Sequence, residues 1–205
     1  ASLQTAVQQA INAIGDMQRR VLDVQTTGST WRAVAMGFEG RAAAAYWGRV
    51  GDLVPPELGF AGRTTRGATD PVNVCLNYVY GILYGEVWRS IVRAGLDPYF
   101  GVIHGSERDH GSLVFDVIEE FRAPYADRFV LGLLGRGFRP GVGEEGRIRG
   151  ATRLSLVRGF LRTWQKKTRW RSKTVSPSEI MQMQVDALAR TFQGLGNYKP
   201  FKMRW

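Results

Sequence analysis

An imidazole and a cluster of carboxylates lie close together in a short segment near the middle of the chain. The segment runs from His104 to Arg122 and reads HGSERDHGSLVFDVIEEFR. Its acids Asp116, Glu119 and Glu120 interrupt an apolar helical pattern at spacings of three and four residues, which places Asp116 on one face with both glutamates. Like charges at these spacings repel, so a cation, an arginine or water must offset the repulsion. The segment therefore predicts one half of a metal site.

Ordinary ion pairing is the alternative explanation for the same acids. In that case both glutamates point to solvent, and Asp116 pairs with Arg122 or another basic side chain. The segment also contains a second imidazole, His110, whose neighbours are charged residues or glycine. We expect those surroundings to be solvated and therefore assign the functional imidazole to His104. The segment alone does not decide between a metal site and ion pairs.

Another candidate ligand, Glu39, lies in a predicted helix earlier in the chain. The residues three and four positions away from it are all alanine or methionine, so its carboxylate projects from a small, apolar stripe. A carboxylate in such surroundings needs a partner or stays protonated. Pairing with Arg32 or Arg41 and a role as a metal ligand are both open at this point.

The elements that must position these residues are predicted to be helices. Apolar spacing predicts an all-α fold in one domain, residues 1–205, with a strong helix start at Asp70 and a capping box that begins at Ser176. The predicted helices begin near Leu3, Ser29, Pro71, Ser112 and Pro124, and two more cover about 151–171 and about 176–193. We expect the last two helices to form a subsidiary lobe.

The charge of the chain favours an anionic partner. The formal net charge is +10 and the isoelectric point is near 10.2. Ten Lys or Arg residues and no acid lie between Arg147 and Lys173, so the predicted basic helix has a face without compensating charge. Nucleic acid and an acidic membrane surface both fit this charge. Because the apolar face of the helix is needed for a core, we expect phosphate contacts and no membrane partner.

Six basic residues are the candidates for contact with DNA phosphates. Three belong to the basic helix, one lies near Glu39 in the second predicted helix, and two lie in a loop rich in glycine and proline, 51–69, which has no acid after Glu57. The candidates are Arg41, Arg63, Arg66, Lys166, Lys167 and Arg169.

A single cysteine, Cys75, excludes an internal disulfide framework and a metal site built from cysteines. Its apolar neighbours predict a thiol packed in the core, and a lone cysteine fits a reducing compartment. No stretch approaches the ~18 to 20 apolar residues that span a bilayer. These features predict an intracellular, cytoplasmic protein.

Four stretches of the chain resemble one known family. They are FEGRAAAAYW from Phe38, GRTTRGATDPVNVCLNYVYGILYGE from Gly62, GLDPYFGVIH followed by SLVFDVIEEFR, and the closing YKPFKMRW. In this order the stretches resemble the CRISPR-associated integrase that captures new spacers. The resemblance implies an α-helical catalytic domain, and we expect the chain to lack the amino-terminal β-rich domain that family members carry.

The resemblance also implies which residues act. Carried over to this chain, the catalytic residues of the family are Glu39, His104, Asp116 and Glu119, of which all but Asp116 bind the metal. The asparagine of the family's DPVN stretch falls on Asn73, which joins the DNA contacts. An imidazole and carboxylates suit Mg²⁺ or Mn²⁺, and three protein ligands leave positions for water and phosphate oxygens.

The implied reaction is transesterification, in which a 3′ hydroxyl of protospacer DNA attacks a phosphodiester of the CRISPR array. The implied partners are double-stranded DNA, a small dimeric Cas protein and, for the full-length protein, a second copy of itself. The resemblance also implies a prokaryotic cytoplasm. Two other functions stay open: a metal-dependent endonuclease that cleaves without joining, and a basic helical DNA-binding domain without chemistry.

Overall fold

A computed structural model describes residues 3–23, 29–104 and 111–203, so His110 lies outside the described residues. The chain divides into two compact units, Ala1–Arg66 and Gly67–Trp205. The described parts are mostly helical, with one two-stranded sheet, which confirms the predicted fold class. None of the described helices is both long and apolar enough to cross a bilayer.

The first unit is a pair of packed helices. Helix α1 covers Leu3–Leu22 and helix α2 covers Ser29–Gly51, and the two contact each other. A short 3-10 helix, Pro56–Leu58, follows. The ring of Trp47 packs on that of Phe60, with centroids 6.2 Å apart.

The second unit contains five further α-helices and the sheet among its described residues. The bounds are α3 Pro71–Arg93, α4 Ser112–Phe121, a π-helix Arg122–Asp127, α5 Arg128–Gly135, a 3-10 helix Glu144–Gly146, α6 Gly150–Gln165, β1 Thr168–Trp170, β2 Lys173–Val175 and α7 Pro177–Phe192. The two strands pair antiparallel.

Helix α3 is the centre of this unit. It begins where the sequence predicts, because the Asp70 side chain accepts the Asn73 backbone N–H at 2.9 Å and Pro71 occupies the first turn. Most of its apolar residues are buried, and the helix packs against α4, α5, α6 and α7. The two helices predicted as a subsidiary lobe, α6 and α7, therefore both pack on α3.

Stacked aromatic rings join α4, the π-helix, α6 and the segment after α7. Phe121 is fully buried, with its ring parallel to that of Phe201 at 5.2 Å and edge-on to Trp164 at 6.0 Å. Tyr125 stacks on the same Phe201 ring at 5.9 Å. Offset and edge-on pairs of this kind stabilise beyond their buried area, so this cluster is a main source of packing energy near α4.

The basic helix ends earlier than predicted. The prediction extended it to about 171, whereas α6 ends at Gln165 and Lys166 already has an extended backbone, with ψ of 118°. The apolar periodicity stops at Trp164, and the following segment contains β-branched and aromatic residues that pair as β1 and β2. Arg169 therefore lies on strand β1 of an exposed hairpin, and Lys166 and Lys167 lie in the exposed link that leads into it, so the three do not share one helical face with Arg162.

The helix predicted to begin near Pro124 also differs from the one in the structure. The chain does not restart there, because α4 continues into the π-helix before α5 begins at Arg128. Proline has no N–H to donate and crowds the preceding turn, which disfavours a regular α-helix through this position. A π-helical turn inside a helix often marks a functional site.

Cys75 is buried in α3, as predicted. Burial raises the pKa of its thiol to about 12, and the charge of Asp70 adds to the rise. Only a thiolate reacts with disulfide reagents, so we expect Cys75 to be unreactive in the folded protein at pH 8 and fully reactive in denaturant. The chain has one cysteine, so titration with a coloured disulfide reagent measures this site alone. Rapid labelling under native conditions would contradict the prediction.

Candidate catalytic site

The Asp116 carboxylate ties the segment before His104 to helix α4. It accepts hydrogen bonds from the backbone N–H groups of Val102, Ile103 and His104, the last two at 3.1 Å. Its side chain is only 9% exposed. Three backbone donors on one carboxylate fix the local chain firmly, because hydrogen bonds to an ionised acceptor are stronger than those between neutral groups. Asp116 therefore determines where His104 lies.

Asp116 also contacts the His104 ring. Its Oδ1 lies 2.7 Å from His104 Nδ1. An ionised carboxylate can only accept, so Nδ1 carries the proton, and Nε2 of the neutral ring carries the lone pair. The same pairing of carboxylate and imidazole orients metal-binding histidines in proteins. The geometry thus leaves the Nε2 lone pair free of the Asp116 contact.

Glu119, one turn further along α4, faces a different network. Its Oε1 accepts from the Arg122 guanidinium, and that guanidinium lies 4.3 Å from the centroid of the Tyr80 ring. The Tyr80 hydroxyl donates to buried Asp127. Burial alone would lower the pKa of Arg122, but Glu119, Tyr80 and Asp127 together raise it above its ordinary value. Arg122 therefore stays charged beside Glu119.

The ion pairs differ from those of the alternative explanation. Asp116 pairs with His104 and not with Arg122, whose partner is Glu119. Glu120 does not point freely to solvent, because three groups from later in the chain donate to its carboxylate.

Glu39 belongs to the first unit, whereas His104, Asp116 and Glu119 belong to the second. It lies on α2, is exposed and forms no ion pair with a described residue. Arg41, one of the alternative partners, instead stacks over the Phe38 ring at 4.5 Å. Neither unit by itself brings three or more His, Cys, Asp or Glu side chains of the described residues into a metal-binding group.

The predicted DNA contacts have different environments. The guanidinium of Arg63 donates to the Thr64 carbonyl and lies 5.8 Å from the Trp47 ring, and Arg66 is exposed. Asn73 is only 1% exposed, and its amide donates to Asp70 at 2.8 Å. The structure therefore makes Asn73 part of the α3 cap, which differs from its predicted place on a DNA-binding surface.

Several residues near the site were not singled out from the sequence. Tyr80 and Asp127 are 47 positions apart, so no local spacing indicates their hydrogen bond. The neighbours of Asp127, Ala126 and Arg128, give no clear indication that its carboxylate is buried.

Comparison with known proteins gives the context for this geometry. The family model described as "CRISPR associated protein Cas1" matches residues 1–141. The chain belongs to this family. A curated Cas1 relative, "CRISPR-associated endonuclease Cas1 1" of Archaeoglobus fulgidus, is 32% identical over 181 residues, which cover 83% of this chain and 52% of the relative. The chain thus spans about half the length of that Cas1 protein.

Two solved structures share the fold. A casposase bound to integration product superposes with a TM-score of 0.78 at 27% identity and covers 87% of this chain and 51% of the other. A complex described as Cas6-RT-Cas1–Cas2 superposes with a TM-score of 0.76 at 24% identity and covers 94% of this chain and 22% of the other. These matches confirm the predicted Cas1 resemblance and the mainly helical fold.

Proposed function

We propose that this chain carries the catalytic part of a DNA integrase of CRISPR adaptation. The main observation is the His104–Asp116 pair, which lies one helical turn from Glu119 on α4 in a chain of the Cas1 family. The casposase match supports joining of DNA ends as the reaction. Residues 1–205 are proposed to act as one catalytic domain, with Glu39 completing the site.

The donor set of the second unit fits Mg²⁺ or Mn²⁺. His104 offers an imidazole nitrogen that Asp116 holds in the right tautomer, and Glu119 offers a carboxylate. When bound by Glu39, His104 and Glu119, the ion would supply Lewis acidity for the attack of a DNA 3′ hydroxyl on a phosphodiester. Asp116 orients the imidazole, and Arg122 holds the Glu119 side chain by their ion pair.

The residues proposed to contact DNA are, in the second unit, the exposed cations Lys166, Lys167 and Arg169 at and just before the hairpin and, in the first unit, Arg41, Arg63 and Arg66. Buried Asn73 is assigned to helix capping instead. The proposed partners are protospacer and repeat DNA, a small dimeric Cas protein and, in the full-length protein, a second copy. The complex with Cas2 seen for a structural neighbour is the precedent for the Cas partner.

The test is a plasmid-joining assay in Mn²⁺ with short duplexes that carry free 3′ hydroxyls, with and without the small Cas partner. We expect joined products that disappear in His104→Ala. His110→Ala is the matched control, because it removes the other imidazole of the chain and should retain the products. Equal loss in both variants would contradict the assignment of His104.

A nuclease that cleaves DNA without joining is the second candidate, because the curated relative is named an endonuclease. Cleaved but never joined plasmid, again lost in His104→Ala, would favour it. DNA binding that is indifferent to metal and to Glu39→Ala, without any product, would instead identify a binding domain without chemistry.

The three cations at and just before the hairpin lead to a separate prediction about how DNA binding depends on salt concentration. Changing Lys166, Lys167 and Arg169 to Gln is expected to weaken binding of duplex DNA of any sequence and to reduce the slope of log K against log[salt] by about 0.9 for each phosphate that is no longer neutralised. The control variant keeps the charge at the same positions by changing each Lys to Arg and Arg169 to Lys. Its slope should equal that of the unaltered chain. An unchanged slope in the Gln variant, measured by fluorescence anisotropy, would exclude the hairpin from the DNA surface.

A further inference from the structure

A short segment after α7 is held against the end of α4 by one carboxylate. We call this segment, Tyr198–Met203, the strap. The Tyr198 hydroxyl donates to Glu120 Oε1 at 2.5 Å, and the Phe201 backbone N–H donates to Glu120 Oε2 at 2.7 Å. Both oxygens of Glu120 are therefore engaged by the strap.

Gln184 of α7 completes the contact. Its amide lies 3.3 Å from Glu120 Oε2 and donates to the Lys199 carbonyl at 3.0 Å, so it connects the strap, α4 and α7. Gln184 is itself only 5% exposed. Burial and the Glu120 carboxylate raise the pKa of Tyr198 well above its usual range, so the hydroxyl keeps the proton that it donates.

The strap also covers the residue that follows Glu120. The buried ring of Phe201 stacks on Phe121 at 5.2 Å with the two planes 5° apart. Glu120 and Phe121 are consecutive residues of the last turn of α4, so the strap holds that turn by hydrogen bonds and by ring stacking.

This turn needs such support. Beyond Phe121 the backbone continues as the π-helix, whose wider hydrogen-bond pattern is less favourable than that of an α-helix. The same turn carries Glu119, and Arg122 follows directly, with its N–H bonded to the Ile118 carbonyl. A shift of this turn would move both partners of the Glu119–Arg122 pair.

We propose that Glu120 is a positioning residue, which locks the strap onto the last turn of α4 and thereby fixes Glu119 and Arg122. The predicted effect of Glu120 on DNA joining rests on the proposed function. Its predicted effect on the last turn of α4 is independent of that function. Glu120 touches no substrate in this scheme. Its action passes through the backbone that it shares with Glu119.

The test replaces Glu120 with Gln, which keeps the size but presents an NH₂ group where the strap needs an acceptor. Hydrogen exchange of single amides reports the opening of each segment. We expect exchange to rise at least ~10-fold at Phe201 in the strap and at Arg122 in the α4 turn. Tyr198→Phe, which removes one donor and keeps the ring, should produce a smaller rise at the same two amides.

Glu179→Gln is the matched control. Glu179 also accepts a backbone N–H, from Ser176 at 2.6 Å, but it does so in the capping box of α7. This variant should leave exchange at Phe201 and Arg122 unchanged. Faster exchange at Phe201 without a change at Arg122 would overturn the proposal, because the strap would then not hold the α4 turn.

A second experiment measures the rate of DNA joining by the folded variant. We expect Glu120→Gln to lower kcat about 10-fold, while the affinity for duplex DNA stays unchanged, because the change affects positioning and not DNA contacts. Wild-type kcat in this variant would overturn the positioning role. If the wild-type chain neither joins nor cleaves DNA, the proposed function fails. The hydrogen-exchange rates at Phe201 and Arg122 then decide by themselves whether Glu120 fixes the turn.

Discussion

Asp116→Asn is expected to reduce the rate of DNA joining by about 10- to 100-fold, the usual cost of removing the carboxylate that orients a metal-binding histidine. The asparagine amide can donate to His104 Nδ1, which then has to accept. The proton moves to Nε2, so the nitrogen that is proposed to bind metal loses its lone pair. The rate is measured in the plasmid-joining assay with saturating DNA.

The tautomer itself provides a second measurement. Nitrogen NMR of the ring should show the proton on Nδ1 of His104 in the unaltered chain and on Nε2 in Asp116→Asn. Asp186→Asn is the control, since Asp186 accepts only from Gln182 among the contacts observed for it, at 2.9 Å, and should affect neither the rate nor the tautomer. A switched tautomer with an unchanged rate would show that Nε2 of His104 has no role in the reaction.

Phe121→Ala is expected to lower the free energy of unfolding by about 3–5 kcal/mol, because a fully buried ring is replaced by a cavity. The ring contacts Phe201, Tyr125 and Trp164, and these large neighbours leave little freedom for the site to collapse. Urea denaturation followed by circular dichroism measures the decrease.

Phe192→Ala is the control for this change. Phe192 is 50% exposed at the end of α7, so its removal should cost less than ~0.5 kcal/mol. A decrease below ~1.5 kcal/mol for Phe121→Ala would mean that the aromatic cluster repacks, and that it is not a main source of stability near α4.

Capping residues and apolar spacing in the sequence predicted much of the helical framework. Asp70 and Pro71 begin α3, and Ser176 begins α7, because capping depends on residues only two or three positions apart. The predicted end of the basic helix was wrong. A continuous run of cations does not reveal a hairpin turn, whose residue Arg171 has φ of 54° and owes its position to strand pairing.

The residues of the candidate site could be singled out from the sequence, but their hydrogen-bond partners could not. The acids of α4 were singled out by spacing, yet their partners come from different distances along the chain. Asp116 reaches 12 positions back to His104, and Glu120 reaches 78 positions forward to Tyr198. Helical periodicity carries no information at such separations, so the division of three neighbouring acids among three networks emerges only from the folded chain.

The hydrogen bonds of Asp116 have a consequence for how this region can evolve. Residues 105–110 connect two anchored ends: His104, which Asp116 holds, and buried Gly111, where a Cβ atom would lie 2.5 Å from the Tyr84 hydroxyl. With both ends fixed to the framework, we expect insertions between positions 104 and 111 to leave the imidazole in place. Doubling the length of a flexible connection costs only about 0.6 kcal/mol of closure entropy. Changes in the length or sequence of residues 105–110 are therefore expected to leave the chemistry of His104 unchanged.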